Sequence, residues 1–333
     1  MSLYPLSSND VDPLYCEPYI INGFRRSNEA WIYYFKSLLH KHNETINVWS
    51  HLLGTIYIII LFIYYNKQLN FFSNAHARPF AISLLSAMIM FICSATAHLL
   101  HAKSEMVHMT CFLIDFVGVS LHGFGSGFLH IYYSAPQWYY DLVKESYVYV
   151  LVILAIVVCY FNCYAQYKYK RPYPAPKRFY QFFPCGVLYF YSIMPIFLRI
   201  YETLSMLEQH ETTIHLSYKD DFGLYCHLIQ IVAFIFGSIV FGFDLPQRFC
   251  PGHLCFFGQG HHLFHFSIYF VVTFQMHGVL WDYEKLNQDL ISQRREPHVL
   301  FCAGSMLILI VTNLIIVACF RRKTVQNKCV KTD

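Results

Sequence analysis

Two histidines four residues apart, His261 and His265, stand at the start of a long apolar run near the end of the chain. On an α-helix, residues at i and i+4 lie on one face, about 6 Å apart along the axis. Two imidazoles on one face of a helix at this spacing can bind the same metal ion. The pair alone is not specific, because the chain contains 18 histidines.

Polar residues in two other apolar runs give this pair a set of partners. Ser94 and His98 come near the end of an earlier run, and Asp115 lies inside the next one. If the runs cross a membrane, His98, Asp115, His261 and His265 all fall near the same membrane surface. An acid within a membrane span is costly, commonly about 2.5–3.5 kcal/mol at the centre, and by default indicates function. The sequence therefore predicts a metal site with His98, His261 and His265 as ligands.

Three imidazoles without a fourth protein ligand are typical of a zinc ion that keeps one position open for water. Zinc suits this donor set, although other divalent ions also bind imidazole. Asp115 would accept a proton from that water, and Ser94 would hydrogen-bond the water or a substrate carbonyl group. His101, three residues after His98, is an alternative ligand nearer the surface. A structural zinc that only ties helices together fits the same residues, and the sequence does not separate these two roles.

The elements that position these residues are predicted to be membrane helices. Apolar residues make up 56% of the chain and charged residues only 13%, about half the share usual in a soluble domain. Runs of about 20 apolar residues predict an all-α integral membrane protein with seven core helices and an eighth C-terminal span. The eight predicted spans cover residues 46–65, 80–101, 107–133, 147–165, 180–199, 223–243, 258–281 and 298–320.

The charges of the loops predict the orientation. With the N-terminus in the cytoplasm, 16 of the 24 lysines and arginines fall on the inner side, as the positive-inside rule requires. Both termini are then cytoplasmic. The predicted organisation is a cytoplasmic N-terminal segment (1–45), a seven-helix core with the zinc site (46–281), an outer loop with the eighth span (282–320) and a basic cytoplasmic tail (321–333).

Three polar residues lead directly into the first span. Glu44, Asn47 and His51 have the spacing of one helical face. This structural polar cluster would either hydrogen-bond neighbouring helices at the inner surface or extend its side chains to water. The spacing favours neither alternative.

These residues also carry a resemblance to a known family. Glu-x2-Asn-x-Trp-x-His (44–51), Ser94-x3-His98 followed by Asp115, and His261-x3-His265 resemble the motifs of the progestin and adipoQ receptor family. The strings at 98–105, 115–119 and 257–261 are similar to its membrane progestin receptor branch, in particular the alpha and beta members. The resemblance covers essentially the whole chain.

The resemblance implies a seven-helix core with a cytoplasmic N-terminus, and zinc bound by His98, His261 and His265 with Ser94 and Asp115 beside it. It further implies a steroid (progestin) receptor in the plasma membrane that signals to inhibitory heterotrimeric G proteins. The wider superfamily includes adiponectin receptors and alkaline ceramidases. The alternative is therefore a zinc-dependent hydrolase that cleaves the amide of a sphingolipid such as ceramide, with Asp115 and Ser94 as catalytic residues. No nucleic-acid partner is expected.

Overall fold

The computed structural model describes residues 5–171, 173–209, 221–293 and 295–332. Over these residues the fold is helical apart from one antiparallel hairpin, in which β1 (Leu6–Ser7) pairs with β2 (Asn22–Phe24). The helices are α1 (Trp31–Ser37), α2 (Thr45–Leu69), α3 (Arg78–Leu100), α4 (Glu105–Tyr133), α5 (Gln137–Val143), α6 (Tyr147–Lys168), α7 (Ala175–Gln209), α8 (Phe222–Gly242), α9 (Gly260–Ser292) and α10 (Val299–Thr332).

Eight helices in the described ranges are long and apolar enough to cross a membrane, which confirms the predicted number of spans. They are α2, α3, α4, α6, α7, α8, α9 and α10. The last helix continues from the eighth span through the basic tail to Thr332. No glycine or proline follows Gly304, so nothing in the local sequence ends the helix at the membrane surface.

Successive spans run antiparallel, so the bundle has two distinct ends. One end of the bundle, which we call the amino end, contains the starts of α2, α4, α7 and α9 and the ends of α3, α6, α8 and α10. The other end, which we call the far end, contains the opposite termini of these helices. At the far end, Asn74 donates a hydrogen bond to Tyr283 Oη (3.1 Å). The described part of the chain begins at residue 5 and ends at residue 332, both on the side of the amino end.

Small residues bring α3 and α4 close together. A Cβ atom on Gly118 would lie 2.8 Å from Met90 Cα, and one on Gly125 would lie 2.6 Å from Ser86 Cβ. Both distances are shorter than a carbon–carbon contact allows, so only glycine permits this approach. The close pairing fixes the depth of His98 on α3 relative to Asp115 on α4.

The N-terminal segment and the segment between α8 and α9 cover the amino end. Ile20, Phe24 and Cys255 are buried against one another, and Gly252 N donates to Tyr19 O (2.9 Å). This cover places residues that precede the first span directly over the ends of the membrane helices.

Candidate metal centre

The three predicted ligands meet at the amino end of the bundle. His98 lies in the last turn of α3, while His261 and His265 lie in the first two turns of α9. One ligand atom from each side chain lies within 4.8 Å of the other two, and every pair of ring centroids is 4.8 Å apart. A tetrahedral zinc ion needs about 3.4 Å between nitrogen donors, so the three ligand atoms lie near the separation that one ion requires. The triad can therefore hold a metal ion.

Hydrogen bonds fix the orientation of two of the three rings. His98 Nδ1 lies 2.8 Å from Glu44 Oε2. His265 Nδ1 lies 3.2 Å from both the carbonyl oxygen of Asn47 and Ser50 Oγ. Because Nδ1 is engaged in both rings, Nε2 is the nitrogen left to bind a metal. Such partners also increase the basicity of a ligating imidazole.

Glu44 is the buried carboxylate of this arrangement, at the residue before α2. Its Oε2 also accepts a hydrogen bond from Asn47 Nδ2 (2.6 Å), and its Oε1 accepts one from Asn43 Nδ2 (3.3 Å). The Glu44 carboxylate thus contacts Asn43, Asn47 and His98 in the buried interior, and it can orient the His98 ring.

The structural polar cluster predicted from the sequence is buried beside the triad. Glu44, Asn47 and His51 are each at most 4% exposed, so their side chains do not reach water. The His51 ring stacks on His265, with centroids 3.8 Å apart and an angle of 12° between the planes. This face of α2 thus forms one wall of the metal centre.

Ser94 on α3 and Asp115 on α4 lie beside His98. Ser94 is one turn before His98 and is buried, and its side chain interacts with the Asp115 carboxylate, which also lies near His98. In the described part of the chain, Asp115 Oδ1 is buried without a hydrogen-bond partner. One oxygen of this carboxylate is therefore available to a water molecule or a ligand beside the triad.

Two other histidines close to the triad contact protein groups outside it. His101, the alternative ligand, lies outside the triad; its Nε2 is 3.6 Å from Glu44 Oε1. His262 Nε2 donates a hydrogen bond to the carbonyl oxygen of Asn43 (3.1 Å). Across the described ranges, His98, His261 and His265 form the single group of three or more His, Cys, Asp or Glu side chains with metal-binding geometry.

Sequence reasoning missed Arg25, which acts on the helix that carries His98. Its buried guanidinium donates to the carbonyl oxygens of His98 (2.6 Å) and Leu99 (2.5 Å) and to Ser37 Oγ (3.2 Å). It thereby satisfies carbonyl groups that the end of α3 leaves without helical partners. Its position before the first span gives no signal of this role.

Comparison with known proteins shows a family match and similarity to membrane progestin receptors. The model of the family described as Haemolysin-III related matches residues 39–276, a range that contains the whole triad and Glu44. The chain is 32% identical to Homo sapiens membrane progestin receptor beta over 289 residues, 86% of this chain and 78% of the relative.

Two alpha-type receptors give the same result. Homo sapiens membrane progestin receptor alpha is 33% identical over 282 residues, 85% of this chain and 78% of the relative. Danio rerio membrane progestin receptor alpha-B is 33% identical over 275 residues, 83% of this chain and 75% of the relative. The chain therefore belongs to the Haemolysin-III related family, the progestin and adipoQ receptor family that its motifs predicted.

Proposed function

We propose that this chain is a zinc-containing receptor for a steroid of the progestin class in the plasma membrane. The observation that carries the proposal is its similarity to membrane progestin receptors alpha and beta over more than four fifths of its length. The buried triad at the amino end supports the metal part of the proposal.

Zinc is the metal we propose, because three neutral imidazoles suit a tetrahedral ion that keeps one open position. His98, His261 and His265 would hold the ion, and Glu44 would orient His98. A bound zinc would polarise a carbonyl oxygen or acidify a water molecule at the open position. Asp115 and Ser94 would hydrogen-bond whichever group lies there.

We further propose that the amino end faces the cytoplasm and relays ligand binding to inhibitory heterotrimeric G proteins. The excess of lysine and arginine on that side supports this orientation. An epitope tag at the C-terminus should react with antibody only in permeabilised cells, whereas labelling of intact cells would reverse the topology. Coupling predicts that a progestin lowers cyclic AMP in cells that express the chain.

Ligand binding is tested with membranes from cells that lack endogenous progestin receptors. Expression of the chain should add saturable binding of tritiated progesterone, which unlabelled progesterone displaces. Membranes from cells with the empty vector are the control. Binding equal to this control, from chain that reaches the cell surface with zinc bound, would contradict the receptor function.

A zinc-dependent lipid amide hydrolase is the second candidate, and the unpartnered Asp115 Oδ1 beside the triad favours it. In this function Asp115 would accept the proton of the attacking water, and Ser94 would donate to the developing oxyanion. Purified, zinc-loaded protein should then release fatty acid from ceramides, and Asp115→Asn should reduce the rate about 10²–10⁴-fold. Asp141→Asn, an exposed acid at the far end, should change nothing. Absence of release from zinc-loaded protein would exclude this candidate.

A further inference from the structure

A small cavity at the amino end leads to the triad. Its volume is about 20 Å³, and His261 and Glu44 line it together with residues of the N-terminal segment and of the segment after α8. A cavity of this size holds about one water molecule. His261 is the half-buried member of the triad, while His98 and His265 are buried. The cavity thus contacts the triad at its accessible ligand.

The cavity wall is rich in oxygen atoms. Three carboxylates, those of Glu17, Glu44 and Asp244, contribute to it. Asn47, which is 2% exposed, also lines it, and its Oδ1 has no hydrogen-bond partner among the described residues. Carboxylate and amide oxygens stabilise a hydrated cation or a water molecule. An apolar ligand would leave Asn47 Oδ1 without a partner.

Two ion pairs form part of the rim. Glu17 of the N-terminal segment pairs with Arg171, and Asp244 pairs with Arg178 of α7. The Arg178 side chain is 41% exposed, so solvent reaches the rim at this pair. Each pair joins separate parts of the chain. The Arg171 side chain is only 8% exposed, whereas the pair of Arg178 with Asp244 is reached by solvent and contributes little stability. The Arg178 and Asp244 side chains can therefore separate at little cost in stability.

We propose that this cavity is the port through which a divalent cation and water pass between the solvent at the amino end and the histidine triad. The proposal rests on the metal site of the proposed function. The carboxylates of Glu17 and Asp244 attract the cation, and Arg178 opposes its approach. The cation then reaches His261 first, because this ligand lines the cavity.

The test measures how fast full-length, detergent-purified protein takes up zinc after a chelator has removed it. A zinc indicator in solution follows uptake, and the final zinc content per chain is measured separately. The double variant Glu17→Gln/Asp244→Asn should take up zinc about tenfold more slowly at low ionic strength, and added salt should reduce the difference. Arg178→Gln should have the opposite effect and accelerate uptake. Asp10→Asn, an exposed acid of the same segment outside the cavity, should match the original chain.

Opposite effects of the acidic and basic variants, at one zinc per chain, would support the port. Equal uptake rates for all variants at one zinc per chain would overturn it. A slower uptake that salt does not change would also contradict the proposal, because it would reflect altered folding rather than attraction of the cation. If the original chain binds no zinc, the metal site of the proposed function fails instead.

Discussion

Both ends of the bundle bury histidines beside a carboxylate, but among the described residues only the amino end has metal-binding geometry. At the far end, Asp282 Oδ2 lies 2.9 Å from His227 Nε2 and accepts a hydrogen bond from Ser134 Oγ (2.8 Å). Arg199 pairs with Asp282 Oδ1 (2.7 Å). These residues come from α7, α8 and α9 and from the end of α4, so the network ties four helices together.

His227 and His130 at the far end have partners on both ring nitrogens. His227 Nδ1 lies 2.9 Å from Gln230 Nε2, which complements its contact with Asp282. His130 Nδ1 donates to the carbonyl oxygen of Ser192 (2.9 Å), and its Nε2 accepts from Gln275 Nε2 (3.1 Å). At the triad, by contrast, the hydrogen bonds of His98 and His265 involve only Nδ1. Nε2 of each ring remains to bind a shared ion. The comparison indicates what distinguishes a possible metal site from a structural network. The distinguishing feature is a set of neighbouring ring nitrogens without protein partners, not the number of histidines.

The largest expected difference between the two ends is in bound zinc. His265→Ala should reduce the zinc content of purified protein from about one per chain to near zero, because two imidazoles hold zinc far more weakly than three. His227→Ala should retain about one zinc, because both nitrogens of this ring already have protein partners. Elemental analysis by mass spectrometry gives both values. His277→Ala, on the same helix as His265, serves as the control and should also keep its zinc.

Equal loss of zinc in His265→Ala and His227→Ala would remove the distinction between the two ends. Full retention in His265→Ala would exclude this side chain as a ligand. Both results can be interpreted only if the variants elute as monodisperse protein, because loss of zinc must be distinguished from misfolding.

The second expected difference is in stability. Asp282→Asn should lower the free energy of unfolding by about 2–3 kcal/mol, because Arg199 and His227 lose a fully buried charged partner. Arg199 keeps its pair with Asp221 (2.8 Å), which limits the loss. The apparent melting temperature in detergent should fall while the zinc content stays unchanged. Asp141→Asn, which breaks an exposed pair with Lys144, should leave the melting temperature as it is. An unchanged melting temperature for Asp282→Asn would contradict a structural role for the far end.

The spans and the histidines of the triad could be predicted, because apolar runs and the His-x3-His spacing are features of the local sequence. A run of about 20 apolar residues is sufficient to indicate a span, and a His-x3-His pair defines a helical face. His98 became a candidate once the spans placed it at the same depth as His261 and His265. The structure brings these three side chains together at the amino end.

The partners of the ligands could not be predicted, since their contacts join distant parts of the chain. Glu44 meets His98 across 54 residues, and Arg25 meets the same helix from a segment outside the membrane. Asp282 and Arg199 lie near the ends of apolar runs, where charged residues normally face water. Only the packing of the helices shows that these two form a buried pair.

The smallest expected effect concerns Glu44, which corresponds at the amino end to Asp282 at the far end. Glu44→Gln keeps the size of the side chain but removes the charge that orients His98. It should weaken zinc affinity about 10–100-fold, with one zinc per chain still bound at saturation. Competition with a chelator of known affinity measures this change, and Glu29→Gln is the control from the same segment. Asp282→Asn should leave zinc affinity unaltered, since its partners do not contact the triad. If Glu44→Gln binds zinc with the original affinity, Glu44 acts only in packing, and the two buried carboxylates have the same structural role.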